Sequence, residues 1–266
     1  MKPRVVVHSK SRLSSPGVRG WSSMDISLKG LAKRFDSDDV LSRIDLDLGG
    51  SQIVAVIGLN GAGKTTLLRC LAGAITPTRG TIRWNGSSSI RDDLDLHRKM
   101  IFLPDAPLVL EEQTIIQHLV LLLRAYGRDG TIAEQAIVAV LRDLDLIEHC
   151  ETVLAKLSRG QRYKATLAAL LLISPELWLL DEPFASGMDP QGMHTLKMHA
   201  RKAAATGSCI VYTTQIIEIA EKFCDLLLVV DHGTIADRLG REELRAMPDE
   251  GPGSLGDRLA AFRERK

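Results

Sequence analysis

Ile53-Val-Ala-Val-Ile57-Gly58-Leu-Asn60-Gly61-Ala62-Gly63-Lys64-Thr65-Thr66 decides how this chain folds. The first five residues form a short continuous apolar run, the pattern of a strand buried on both faces. Gly58 to Thr65 then matches G-x-x-x-x-G-K-[ST], and Lys64 to Leu71 reads as a helix. Glycines let the backbone curl so that successive N–H groups point inward, and the helix N-terminus adds positive field. Such a turn cradles phosphates. Gly58, Asn60, Gly61, Ala62, Gly63, Lys64, Thr65 and Thr66 are the candidate nucleotide-binding residues. Lys64 is placed to reach the β- and γ-phosphates, and the Thr65 hydroxyl to ligate Mg²⁺.

Working outward, strand-like and helix-like segments alternate. Ile44, Leu46 and Leu48 alternate with Asp45 and Asp47, a half-buried strand. Met100 to Leu103, Leu177 to Leu180, Ile210 to Thr213 and Leu226 to Val230 read as further strands. Thr114 with Gln117 forms a capping box ahead of Ile115, Leu119, Leu122, Leu123 and Tyr126 on one helical face. Thr131 with Glu134 forms a second box. Residues 105–160 therefore read as mostly helical, an insertion in an α/β domain with a largely parallel sheet. Asp189-Pro190 supplies an N-cap and an N1 proline. Asp231-His232-Gly233 reads as a hairpin turn. Leu255 to Arg263 reads as a short terminal helix.

Leu177-Trp-Leu-Leu-Asp181-Glu182 is a hydrophobic strand ending in two acids. In an open α/β sheet, ligands bind beyond the carboxyl ends of the strands. Asp181 is placed to hold Mg²⁺ through water, and Glu182 to orient or deprotonate an attacking water. Just upstream, Leu157-Ser158-Arg159-Gly160-Gln161 carries another S-x-x-Q box, opening a helix whose N-terminus suits an anion.

That last segment resembles the signature sequence of ATP-binding cassette (ABC) ATPases. Phosphate loop, signature, acidic strand, D-loop (Ser186-Gly-Met-Asp189) and switch occur in the family's order over residues 24–240. The resemblance implies an α/β fold: a P-loop NTPase core with a mostly parallel sheet, an N-terminal antiparallel β part and a helical signature subdomain at about 105–160. It also implies an ATPase that uses ATP and Mg²⁺. Ser158, Arg159, Gly160 and Gln161 would meet the γ-phosphate held by a second nucleotide-binding subunit, with two ATP molecules sandwiched in a homo- or heterodimer. Phe35 falls where the family carries an aromatic that stacks on adenine; a core or edge aromatic is the other reading.

Three positions depart from the family pattern. Asp105, in Ile101-Phe-Leu-Pro104-Asp105, replaces the glutamine of the Q-loop, and its carboxylate remains an oxygen ligand for Mg²⁺. Gln215, in Thr213-Thr214-Gln215, replaces the switch histidine. It can donate a hydrogen bond to the γ-phosphate but cannot titrate, which predicts slow turnover. Arg159 replaces a glycine of the signature. Glu182 is retained, so an active enzyme is expected, with Glu182 and Gln215 as its catalytic pair.

Composition excludes several alternatives. The chain has 266 residues and 34 basic against 33 acidic side chains, so nothing in its charge argues for nucleic-acid binding. Residues 1–23 are basic and acid-free; the expectation is a disordered extension or a stretch ahead of a start at Met24, with a transit peptide as the other reading, and without it the body carries 29 basic and 33 acidic residues. Cys70, Cys150, Cys209 and Cys224 are scattered, which argues against disulfides or zinc. The longest apolar runs fall far short of the roughly 20 residues of a membrane helix. The resemblance implies an energy-coupling subunit on the cytoplasmic side, peripheral on the inner face of the cell membrane and paired with a separate membrane-spanning permease. The Asp105 substitution points to the exporter-type branch. A soluble ATPase acting on nucleic acid or ribosomes, and a nucleotide-binding regulator with little turnover, are the other classes. Residues 241–266 read as a tail that caps the domain, docking of a partner being the other reading.

Overall fold

The computed structural model describes residues 24–88, 93–106, 109–128, 130, 132, 134–248 and 251–263. The basic extension 1–23 and Thr131, with its expected capping box, lie outside them. The order begins with β1 (Ile26–Phe35), β2 (Asp38–Leu48), β3 (Gln52–Ile57), α1 (Lys64–Leu71) and β4 (Arg79–Trp84). Next come α2 (Leu94–His97), β5 (Met100–Leu103), α3 (Ile115–Ala125), α4 (Glu134–Asp143), α5 (Arg159–Ile173) and β6 (Leu177–Leu180). The chain closes with α6 (Pro190–Ala205), β7 (Cys209–Thr214), α7 (Ile217–Phe223), β8 (Leu226–Asp231), β9 (Thr234–Gly240), α8 (Arg241–Ala246) and α9 (Leu255–Arg263).

Six strands form the main sheet in the order β5-β6-β7-β3-β8-β9. Its first five strands run parallel, and β9 returns antiparallel to β8 through the His232-Gly233 turn, both residues at positive φ. That is the type I′ signature expected of a two-residue hairpin. A second, antiparallel sheet has the order β2-β1-β4.

The alternation of β3 sorts its side chains between two cores. Ile53, Ala55 and Ile57 pack with α3, α5, α6 and α7. Val54 and Val56 face the opposite way, with α1 and the antiparallel sheet. A strand buried on both faces must be apolar at every position, which is why Ile53 to Ile57 shows no alternation. β2 has only one covered face: Ile44, Leu46 and Leu48 are buried while Asp45 and Asp47 are exposed.

The helix ends follow their local chemistry. Thr114 and Gln117 close a complete capping box on α3, and Ser158 and Gln161 do the same on α5. Asp189 caps α6 by accepting from Gly192 N at 2.7 Å, with Pro190 at N1. The C-terminal segment packs on the domain, with Leu244 and Leu255 buried in the larger core. Among the described residues no helix is long and apolar enough to cross a membrane.

Candidate functional site

β3 delivers the phosphate loop at the carboxyl end of the main sheet. Gly61 and Gly63 take φ of 81° and 105°, a region that costs a side-chain-bearing residue about 1 kcal/mol or more. Close approach adds a second constraint: a Cβ on Gly63 would lie 2.7 Å from Val40 O. Gly63 also caps α1 without a side chain, so the first N–H groups of this helix meet no capping oxygen. Lys64 is buried and folds back, donating to Gly58 O at 2.9 Å and Leu59 O at 3.2 Å. Burial pushes its pKa below the usual lysine value, against the pull of Glu182 and Asp181.

Opposite the loop, β6 and β7 pair in register, Leu180 with Tyr212. The next residues on each strand therefore meet. Asp181 Oδ1 accepts from Thr65 Oγ1 at 3.0 Å and from Thr213 Oγ1 at 2.7 Å. The Thr213 hydroxyl in turn accepts from Glu182 N at 2.8 Å. Thr213 is wholly buried, so one hydroxyl ties both acids of the acidic strand to β7. Glu182 sits in the left-handed region, φ 47° and ψ 47°. Strain of this kind in a residue other than glycine is tolerated where the surroundings hold a side chain in a required place. Its Oε1 accepts from Gln215 Nε2 at 3.2 Å and lies 3.9 Å from Lys64 Nζ. Its Oε2 is buried without a protein partner. A cavity of about 430 Å³ opens beside Gly58, Leu59, Asn60, Gln215 and Asp231, with Leu259 of α9 on its wall.

The signature residues form a second group. Ser158 accepts from Gln161 N, and Gln161 Oε1 from Ser158 N. Gly160 rests on the D-loop so closely that a Cβ there would lie 2.2 Å from Gly187 O. One turn on, Lys164 donates to Asp189 Oδ2 at 2.7 Å. This bond, then the Gly192 N–H, holds the Asp189 carboxyl below the usual range.

The structure thus brings Lys64, Thr65, Asp181, Glu182 and Gln215 together and groups Ser158, Arg159, Gly160 and Gln161 with Asp189. The bonds of the signature run within its own turn and to Asp105, not to the phosphate loop. Asp105, expected as a magnesium ligand, is placed on Arg159, whose Nη2 donates to Asp105 Oδ1 at 2.5 Å. Phe35 is not a core residue: it ends β1, is 43% exposed, and has Lys33 Nζ 4.7 Å from its ring centroid. Thr213 and Lys164 escaped the sequence reading. A hydroxyl in an apolar strand and a lysine on an apolar helix were their only local signals.

The ABC transporter family model matches residues 41–185. The chain is similar to the ABC-type transporter ATP-binding protein EcsA of Bacillus subtilis, with 30% identity over 83% of this chain and 89% of that protein. It is also similar to the daunorubicin resistance ATP-binding protein DrrA3 of Streptomyces coeruleorubidus, with 30% identity over 83% of this chain and 70% of that protein. Among solved structures, an ATP-binding subunit of an ABC transporter superposes with a TM-score of 0.81 at 28% identity, covering 90% of this chain and 99% of that one. A dimeric, post-hydrolysis ATP-binding cassette bound to ADP and Pi shares the fold, with a TM-score of 0.71 at 19% identity over 81% of this chain and 98% of that one. With a phosphate loop, acidic strand, signature and D-loop held in this geometry and the family model spanning more than half of its length, the chain is an ATP-binding-cassette ATPase of the ABC transporter family.

Proposed function

We propose that this chain binds and hydrolyses ATP to power transport of a substrate through a separate membrane-spanning permease, in the manner of exporter subunits. The observation that carries the reading is the bonded chain Thr65–Asp181–Thr213–Glu182–Gln215 facing Lys64. The donor set fits a magnesium ion: Thr65 Oγ1 and Asp181 Oδ1 are hard oxygens that meet at 3.0 Å, so that the Thr65 hydroxyl would ligate the ion and Asp181 would hold it through water. When bound, Mg²⁺ would neutralise charge on the β- and γ-phosphates. Lys64 leaves the two carbonyls it now serves for the phosphate oxygens, and the Gly58 to Thr66 backbone cradles them. Phe35, partly exposed with Lys33 over its ring, is the aromatic that would stack on the adenine. Glu182 Oε2 is free to accept the proton of the attacking water, while Gln215 fixes Oε1. The fixed, non-titrating Gln215 makes turnover slow.

Completion of the site requires a second nucleotide-binding subunit, whose Ser158-capped helix supplies N–H groups to the γ-phosphate. The apolar groove of about 450 Å³ lined by Leu103, Pro104, Ala106, Leu122 and Tyr126 takes a cytoplasmic segment of the permease. It lies beside the site, between the sheet edge at β5 and the helical elements α3 and α5, and none of the described helices crosses a membrane. The protein is then peripheral on the inner face of the cell membrane. Nothing observed favours action on nucleic acid or ribosomes.

The test is Glu182→Gln. The variant should bind ATP, hydrolyse it at least about 100-fold more slowly, and accumulate as an ATP-bound dimer on gel filtration. A tagged pull-down from native membranes in mild detergent should recover a multi-span protein and stimulated hydrolysis. Normal hydrolysis by the variant refutes the role of Glu182. Recovery only with ribosomes or nucleic acid refutes the transport reading.

A further inference from the structure

Two of the positions that depart from the family pattern meet each other. Asp105 and Arg159 lie far apart in sequence, yet Arg159 Nη2 donates to Asp105 Oδ1 at 2.5 Å. Asp105 follows β5 by two residues, and its neighbours Pro104 and Ala106 line the apolar groove. Arg159 is the first residue of α5, directly after the Ser158 cap. The start of α5 has a further hold, in the Gly160 contact with Gly187 and, one turn on, the Lys164–Asp189 bond. The start of α5 is therefore gripped between the loop after β5 and the loop after β6. The charge arrangement explains why Arg159 needs an anion. A cation at a helix N-terminus opposes the helix dipole, and a carboxylate beside it restores the balance.

We propose that Asp105 and Arg159 are a positioning pair: Asp105 sets where the signature helix begins, and so links the groove between Pro104 and Ala106 to the surface presented to a second subunit's nucleotide. The inference rests on the two-chain reading above and adds the residues that carry movement from groove to signature. A segment that enters the groove displaces Pro104 and Ala106. Asp105 moves with them, and the ion pair hands the movement to α5. Both side chains are about half exposed, so the link is modest in strength and weakens with salt.

The experiment is a mutant cycle at low ionic strength on the Glu182→Gln chain. Asp105→Asn and Arg159→Gln should each weaken ATP-driven association about two- to five-fold, the range that an exposed pair supports. The double variant should be no weaker than either single one. The swapped pair, Asp105→Arg with Arg159→Asp, should recover most of the loss. Amide hydrogen exchange of residues 159–163 in the single chain should quicken in each single variant and recover in the swap. Losses that add in the double variant, or a swap as weak as the single variants, overturn the proposal. A fall in single-chain affinity for Mg·ATP on Asp105→Asn overturns it too, by giving Asp105 the metal instead. Should Glu182→Gln fail to associate with ATP, the two-chain reading falls, and the exchange comparison still decides whether Asp105 positions the helix.

Discussion

Replacing Gly160 with alanine adds one methyl group where the signature helix touches the D-loop. That Cβ would lie 2.2 Å from Gly187 O and 2.9 Å from Gly187 C, both backbone atoms that no side-chain rotation can clear. Bringing the first contact to 3.0 Å, the shortest distance real Cβ atoms show, requires the two elements to part by at least 0.8 Å. Neither moves freely, because Lys164 binds Asp189 one turn along and Met188 of the D-loop is buried. Stability should fall modestly. Overpacking costs about 1–3 kcal/mol, while alanine gains about 1 kcal/mol of helix propensity over glycine. A net loss of up to about 2 kcal/mol lowers Tm by up to about 8 °C for a domain of this size. Activity should change far more, since a displacement of about 1 Å in a reacting constellation costs on the order of 100-fold. The expected result is a folded Gly160→Ala chain with nucleotide affinity within about three-fold of the parent and kcat down about 100-fold. Thermal unfolding, fluorescent-nucleotide binding and steady-state ATPase assays measure the three quantities. A kcat within about three-fold of the parent would refute the claim that this contact sets the geometry.

Thr213→Val removes the hydroxyl that joins Asp181 to Glu182 N and leaves buried polar groups short of a partner, a loss of about 1–3 kcal/mol. A Mg²⁺ titration of hydrolysis should show weaker metal dependence and a kcat reduced about 10- to 100-fold, with Thr213→Ser close to the parent. Gln215→His should raise kcat by about ten-fold or more, because a titrating group then faces Glu182; no change, or a decrease, sinks that reading. His118 is buried with neither ring nitrogen partnered, and burial pushes its pKa below the usual histidine value. Its neutral form is therefore the one the fold accepts, so its contribution is intact above about pH 6.5 and is lost as pH falls below that. His118→Leu should stabilise the chain by about 1 kcal/mol at pH 7, with a larger gain at pH 5, read from urea unfolding at both. A variant less stable at both pH values would contradict this account.

The sequence by itself determined what depends on neighbours a few residues apart. The curl of Gly58 to Thr65 spans eight residues, and the Thr114–Gln117 and Ser158–Gln161 boxes, the Asp189-Pro190 start of α6 and the His232-Gly233 turn are i to i+3 interactions. Each was legible because its chemistry closes locally. β3 was legible because burial on both faces leaves no polar position. Less was visible where no local rule applies. β1 pairs irregularly with both of its neighbours, and its register shifts blur the alternation that would mark a strand. α7 starts at Ile217 behind Ile216, an N-cap that offers no capping side chain, and is too short to show a period. Only the tertiary structure decided which residues meet. The register of Leu180 against Tyr212 puts Thr213 between Asp181 and Glu182, and the parallel pairing of β5 with β6 carries Asp105 to that same end of the sheet. From there it meets Arg159 on α5. Parallel register is a property of crossovers and of the faces they bury, not of any short stretch of chain. The two acids at the end of β6 could therefore be named from the sequence, while the hydroxyl that ties them together and the partner of Asp105 could not.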